Sequence, residues 1–284
     1  MKKYLAVFLI FSIINLHCFR FSESGINKPP ERRVLGAAIV SGEAIAGFTL
    51  AEVVITMTII GVVAVLVIPA IRSRIEDAQL KTKWKKVYSN LNSAALNVLT
   101  DIGGSYDGFC NTGQYSDSSR CFLNAFKDNL AVSKICYNLS NLVPDNQGCW
   151  FANPAYASTH PEVIANGNQK HINGDPFSSN IGGYPAMVLT DGTMILFHYF
   201  DPNGACLQET TGMHKICGLL EIDVNGYNPP NVFGKDMYSA YVFSDGIKPF
   251  GVQGDLWNLL NDCNPSGVGL YGYGFSCSAL YLMQ

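Results

Sequence analysis

The sequence predicts an α+β fold, with one long helix leading into an antiparallel sheet in a disulfide-rich head. Three observations predict it. An apolar run from Phe48 to Ile71 continues into an amphipathic pattern that lasts to Asp101. Clear strand runs, punctuated by turn residues, begin only after residue 185. Eight of the nine cysteines lie beyond residue 100.

With 284 residues, 48% of them hydrophobic and 14% charged, the chain can bury a core of ordinary size beside an anchor. Its formal net charge is −3 and it has no long basic run, which argues against nucleic acid as a partner. The charge is unevenly spread. Residues 1–47 carry +3 and the remainder −6.

Residues 1–47 read as a leader. Met1-Lys2-Lys3 precedes an apolar stretch, Tyr4 to Leu16, with the length of a secretory signal core. Lys28, Arg32 and Arg33 then place the segment before Gly47 on the cytoplasmic side by the positive-inside rule.

Residues 48–71 read as a transmembrane helix. Twenty-four helical residues at about 1.5 Å each reach roughly 36 Å, enough for a hydrocarbon core of about 30 Å. Glu52 is the one charge in this run. A carboxylate in lipid costs at least about 2.5 kcal/mol, so Glu52 requires a partner. Pro69 cannot donate its backbone hydrogen bond, so the helix can bend there.

Residues 72–101 read as an amphipathic stalk. Ile75, Ala78, Trp84, Val87, Leu91, Ala94, Ala95, Val98 and Leu99 recur at three- and four-residue spacing. Lys81, Lys83, Lys85 and Lys86 occupy other faces as a solvated surface, and Asp77 with Lys81 forms an i,i+4 pair. Asp101 followed by Gly103-Gly104 ends the helix.

Residues 102–284 form the exported head. Its first part, to about 180, is rich in Gly, Asn, Ser and Cys, with a short helix expected at 119–132. Ala186–Leu189 and Thr193–Phe200 flank Thr190-Asp191-Gly192 as a hairpin. Ile216–Val224 and Tyr238–Phe243 are the third and fourth strands, with Asp245-Gly246 closing the fourth, and Ala279–Met283 is expected as a last one.

Between the third and fourth strands, residues 223–236 concentrate carboxylates, amides and turn formers. Asp223, Asn225 and Asp236 are candidate ligands for a hard cation such as calcium, which takes six to eight oxygens from flexible loops. The ligands do not follow the EF-hand order, and a turn held by Asx hydrogen bonds explains the same composition.

Enzymatic motifs are missing. The string Gly267-x-Gly269-x-x-Gly272 leaves only twelve residues behind it, too few for a βαβ nucleotide site. His160, His171, His198 and His214 are scattered without a nucleophile at a matching spacing.

Only Cys18 precedes Gly47, so division there leaves eight cysteines, an even set suited to disulfides in an oxidising compartment. None forms Cys-x-x-Cys, and the spacings suit neither zinc nor an iron–sulfur cluster. Eight cysteines admit 105 pairings. Their order suggests local pairs: Cys110–Cys121, Cys136–Cys149, Cys206–Cys217 and Cys263–Cys277.

The string Gly47-Phe48-Thr49-Leu50-Ala51-Glu52, heading an uninterrupted apolar run, resembles the prepilin peptidase motif of type IV pilins and type II secretion pseudopilins. Pro69 falls where that family commonly carries a helix-kinking proline. The resemblance implies cleavage after Gly47, N-methylation of Phe48, and assembly of the N-terminal helices into a filament. It further implies that Glu52 pairs with the Phe48 amine of a neighbouring subunit. The implied partners are sister subunits, the prepilin peptidase, and an assembly platform with its cytoplasmic ATPase. The implied location is a bacterial inner membrane, with the head exported into a periplasmic or surface filament. The fold it implies is a long N-terminal helix followed by a strand meander, and the 223–236 loop is similar to one where some pseudopilins bind calcium. Family leaders are short and basic, so translation is expected to start nearer Gly47, at Val34 or Leu35. Two other functions fit the same sequence: a low-abundance tip pilin whose head recognises a surface or a secretion substrate, and an anchored exported enzyme.

Overall fold

The computed structural model describes residues 49–137, 149–151, 169–177, 184–204, 206, 208–209, 215–252 and 262–284. The chain divides into two compact units, Met1–Met57 and Thr58–Gln284. Gly47 and Phe48 lie outside the described residues.

Helix α1, Leu50–Asp101, is a single element of 52 residues that contains Pro69 without ending there. It includes a stretch long and apolar enough to cross a membrane, none of which is buried inside the protein. Ile60, Val65 and Leu66 are 63%, 73% and 62% exposed, so no described part of the chain covers them. The amphipathic pattern takes hold later. Trp84, Val87, Leu91, Ala94, Ala95, Val98 and Leu99 are buried, whereas Ile75 and Ala78, expected on the same stripe, face solvent. The sheet reaches no further down the helix than Leu80, which is only partly buried. The helix closes where Gly103 and Gly104 adopt φ of 95° and 94°, and the Gly104 N–H donates to the Leu99 carbonyl. Glycine reaches that region without a Cβ penalty.

Beyond α1 come α2 (Tyr115–Lys127), β1 (Val132–Cys136), β2 (Ala186–Leu189), β3 (Met194–His198) and β4 (Gln208–Glu209). They are followed by β5 (Lys215–Asp223), β6 (Met237–Phe243), β7 (Gly246–Pro249) and α3 (Cys277–Leu282). The strands form one antiparallel sheet in the order β1-β2-β3-β5-β6-β7, with β4 paired to β5. The predicted hairpin is present, with Val188 opposite Met194, Gly192 at φ 84°, and Asp191 accepting the Thr193 N–H.

One face of the sheet meets α1. Met187, Ile195, Phe197, Leu220, Ile222, Tyr238, Ala240 and Val242 form a single core with the buried stripe of the helix. Side chains alternate across a strand, so their neighbours Met194, Leu196 and Met237 face the other side, in a second cluster with Trp150, Phe151 and Phe233. Gly218 is required in β5, because a Cβ there would run into the ring of Phe200.

Several expectations need correction. The helix expected at 119–132 runs earlier, Tyr115–Lys127, and Val132 already opens β1. The fourth strand does end at Phe243 before Asp245-Gly246, but the turn leads into a further strand, β7, that was not expected. The expected strand Ala279–Met283 is instead α3. Cys277, Ser278 and Ala279 are all buried in succession, which a half-buried strand does not allow. They wedge against α1 and β6. The Trp84 indole Nε1 donates to the Ser278 carbonyl at 2.9 Å, and Ser278 Oγ accepts the Ser239 N–H at 3.0 Å.

All four local disulfides are present: Cys110–Cys121, Cys136–Cys149, Cys206–Cys217 and Cys263–Cys277. Each closes a short loop, worth about 3 kcal/mol in the chain-entropy account.

Candidate functional site

Two places carry chemistry. The first is the start of α1. Thr49 precedes the first helical residue, and its hydroxyl accepts the Glu52 N–H at 3.2 Å. Glu52 Oε2 reaches back to accept both the Thr49 N–H and the Thr49 hydroxyl, each at 2.9 Å. This reciprocal pair is a capping box, which satisfies helix N–H groups that have no partner inside the helix. Glu52 therefore has a local partner in Thr49, as the Thr49-x-x-Glu52 spacing of a capping box signals.

The second place is the turn between β5 and β6. Asp223 ends β5 and is completely buried. Its Oδ1 accepts the Asn225 N–H at 3.0 Å, and its Oδ2 is buried with no hydrogen-bond partner. Asp236, also completely buried, accepts the N–H groups of Asn231 and Val232 at 2.8 and 2.7 Å. The Asn225 amide donates to the carbonyls of Asn228 and Pro229, which leaves Oδ1 buried and unpartnered. Asn231, at φ 53°, buries a third unpartnered oxygen, its own Oδ1. Asn231 was not among the expected ligands. The burial of its oxygen depends on a left-handed backbone that residue type alone does not announce.

Burial and the neighbouring Asp236 charge push Asp223 well above its ordinary carboxyl range, and burial raises Asp236 as well. Two buried carboxylates, one of them with an orphaned oxygen, and two orphaned amide oxygens make up an all-oxygen donor set. That chemistry fits a hard cation such as calcium, with backbone carbonyls or water completing the shell. The set is built from carboxylates and amides. No group of three or more His, Cys, Asp or Glu side chains placed to hold a metal occurs among the described residues. The Asx hydrogen bond from Asn225 to Asp223 is also present, so the turn chemistry and the orphaned oxygens coexist. Gly234, at φ 81°, lets the turn pass so close to Cys277 that a Cβ would meet the Cys277 Sγ at 2.5 Å. The turn is thereby seated on the Cys263–Cys277 disulfide.

Calcium should raise the Tm and a chelator should lower it. Without a cation, Asp223 and Asp236 favour the folded state while protonated. That contribution is full below the ordinary value of 3.8 and is lost as pH rises through the raised folded value. The calcium-induced shift should therefore grow from acid to neutral pH. Asp223→Asn should abolish it while keeping the calcium-free protein folded. An unchanged melting curve in calcium and in chelator would leave the turn as structure alone.

His198 Nδ1 lies 3.0 Å from Glu221 Oε1, a pairing across β3 and β5 that sequence spacing did not reveal. His198 Nε2 and Glu221 Oε2 have no hydrogen-bond partner among the described residues. His171 stacks on Tyr273 at 4.1 Å and is held below its ordinary value by burial. His160 and His214 lie outside the described residues.

No family model, no curated protein and no solved structure matches this chain.

Proposed function

We propose that the protein is a prepilin, cut after Gly47 and assembled as a structural subunit of a type IV pilus-like or type II secretion filament. The observation that carries this is the string Gly47-Phe48-Thr49-Leu50-Ala51-Glu52 at the head of a helix apolar enough for a membrane. An α+β head with four disulfides follows, as suits an exported domain.

In this account α1 holds the subunit in the bacterial cytoplasmic membrane with the head outside. The prepilin peptidase frees and methylates Phe48. The assembly platform and its ATPase then lift the subunit into a bundle of sister helices, where the exposed apolar residues of α1 exchange lipid for one another. Glu52 meets the Phe48 amine of a neighbour there and sets the axial register. Asp223, Asn225, Asn231 and Asp236 would hold calcium, which would neutralise the buried carboxylates when bound.

Gly47→Val should block processing, because the branched side chain fills the position the motif reserves for a small residue. Immunoblots of membranes should show a precursor heavier by the uncleaved leader. Normal-sized product from Gly47→Val would remove the prepilin assignment.

A further inference from the structure

We propose that Tyr115, Tyr184 and Tyr199 of the head form a binding site for a neutral sugar ring. The site does not depend on the filament assignment. Tyr199 follows the last residue of β3 with φ of 50°, a left-handed conformation that is strained for a bulky side chain and persists only where its surroundings enforce it. Here they do. The Tyr199 ring stacks on His198 at 3.9 Å and meets Tyr184 at 5.2 Å, and His198 is itself held by Glu221. Tyr115, the first residue of α2, stands at 85° to Tyr199 with ring centroids 6.4 Å apart. The Thr112 and Gly113 N–H groups donate to the Pro202 carbonyl at 3.0 and 2.8 Å, which fixes the approach to α2 against the segment after Tyr199. The Cys110–Cys121 disulfide ties the same approach to α2. Tyr115 and Tyr199 are thus held in place yet 49% and 44% exposed. Burial pushes the Tyr184 phenol up to about 12, with Tyr199 and Tyr115 adding to the shift, so Tyr184 stays a hydrogen-bond donor at neutral pH.

Two half-exposed rings set nearly perpendicular make a corner, and what surrounds the corner selects its occupant. Asn111, Gln114 and Asn203 are exposed on the same two segments. They are brought together there, since a Cβ on Gly204 would lie 3.2 Å from that of Asn111. Of the charges on these segments, Asp117 pairs with Arg120, and Asp201 accepts the Asn203 N–H. The corner therefore offers aromatic faces, hydroxyls and amides. A nucleic acid base would stack on the same rings, but its phosphates need a basic groove, and Arg120 is already paired to Asp117. A quaternary ammonium ion would meet the positive end of α2, at whose first residue Tyr115 stands. A pyranose complements the corner. Its apolar C–H face packs on the electron-rich face of a phenol, and the hydroxyls around its rim meet the tyrosine hydroxyls and the amides. Tyrosine supplies such contact at little cost in side-chain entropy.

The test titrates the purified full chain, in a detergent without a sugar headgroup, with cellohexaose, chitohexaose and maltohexaose by calorimetry. At least one of them should bind with a millimolar or tighter Kd. Tyr115→Ala and Tyr199→Gly should each weaken that binding at least tenfold and leave the Tm unchanged. Glycine removes the ring and adopts φ of 50° without strain, and alanine suits an exposed helix position, so both variants keep the fold. Failure of all three sugars to bind the wild-type chain overturns the site. Binding that either variant leaves undiminished overturns it as well, because the sugar then sits elsewhere. Binding of an oligothymidylate or of tetramethylammonium in place of the sugars, lost in the same variants, overturns the ligand class.

Discussion

Trp84→Ala is expected to lower the stability of the head by about 3–5 kcal/mol, the range for removing a large aromatic from a core. Trp84 is fully buried, stacks on Tyr238 at 4.5 Å with an interplanar angle of 11°, and makes a tilted contact with Tyr88. It also joins three parts of the fold. It projects from α1, its ring lies on β6, and its Nε1 donates to the Ser278 carbonyl of α3. Alanine leaves a void against Tyr238 and strips the Ser278 carbonyl of its donor, so transfer, cavity and hydrogen-bond losses add. For a head of this size the change corresponds to a Tm lower by roughly 10 °C. Thermal unfolding of the detergent-solubilised full chain reads it. Trp84→Phe, which keeps one ring and loses the donor with part of the volume, should fall between. A loss below about 1 kcal/mol for the alanine variant would mean that α1 and α3 do not stabilise the sheet through this residue.

Glu52→Leu is expected to abolish filaments without harming insertion or cleavage. The substitution makes the anchor more apolar, and removal of a carboxylate from lipid is favourable. What it costs locally is the capping box with Thr49, worth about 0.5–2 kcal/mol of fraying at one helix end. That loss is small for a helix of 52 residues. What it costs in assembly is the charge that rewards docking at the correct axial offset. A buried ion pair adds little net stability but specifies register well. Glu52→Gln separates the two roles, because glutamine also serves in a capping box and carries no charge. Both variants should be processed normally and give at least tenfold fewer sheared filaments. Recovery by glutamine would reduce Glu52 to a helix cap.

What the sequence disclosed depends on how strongly each segment repeats. The long helix was legible because its period runs through seven buried residues from Trp84 to Leu99. The β2–β3 hairpin was legible because Thr190-Asp191-Gly192 sits between two apolar runs. Local disulfides followed from cysteine order, since each pair closes only 11 to 14 residues. The short strands were not legible. Strand β1 reads Val-Ser-Lys-Ile-Cys with Ser133 and Lys134 both exposed, which breaks the alternation a strand needs to be seen. Strand β7 is only Gly-Ile-Lys-Pro, closed by a proline that suits a sheet edge. Helix α3 looked like a strand because its apolar residues follow one another, and only the contacts to Trp84 and Ser239 decide its form.

At the candidate cation site Asp223, Asn225 and Asp236 stood out by composition, and the structure gathers them in one turn. Asn231 did not stand out. Its side-chain oxygen counts only once the left-handed turn has buried it.

The amino terminus of the mature protein tests the central claim most directly. Membranes should be extracted, the protein isolated at its native level, and its N-terminal peptide sequenced with intact mass measured in parallel. The expected chain begins at Phe48 and carries one added methyl group on its first nitrogen. A mature chain that begins at any other residue, or one that retains residues 1–47, contradicts the prepilin assignment.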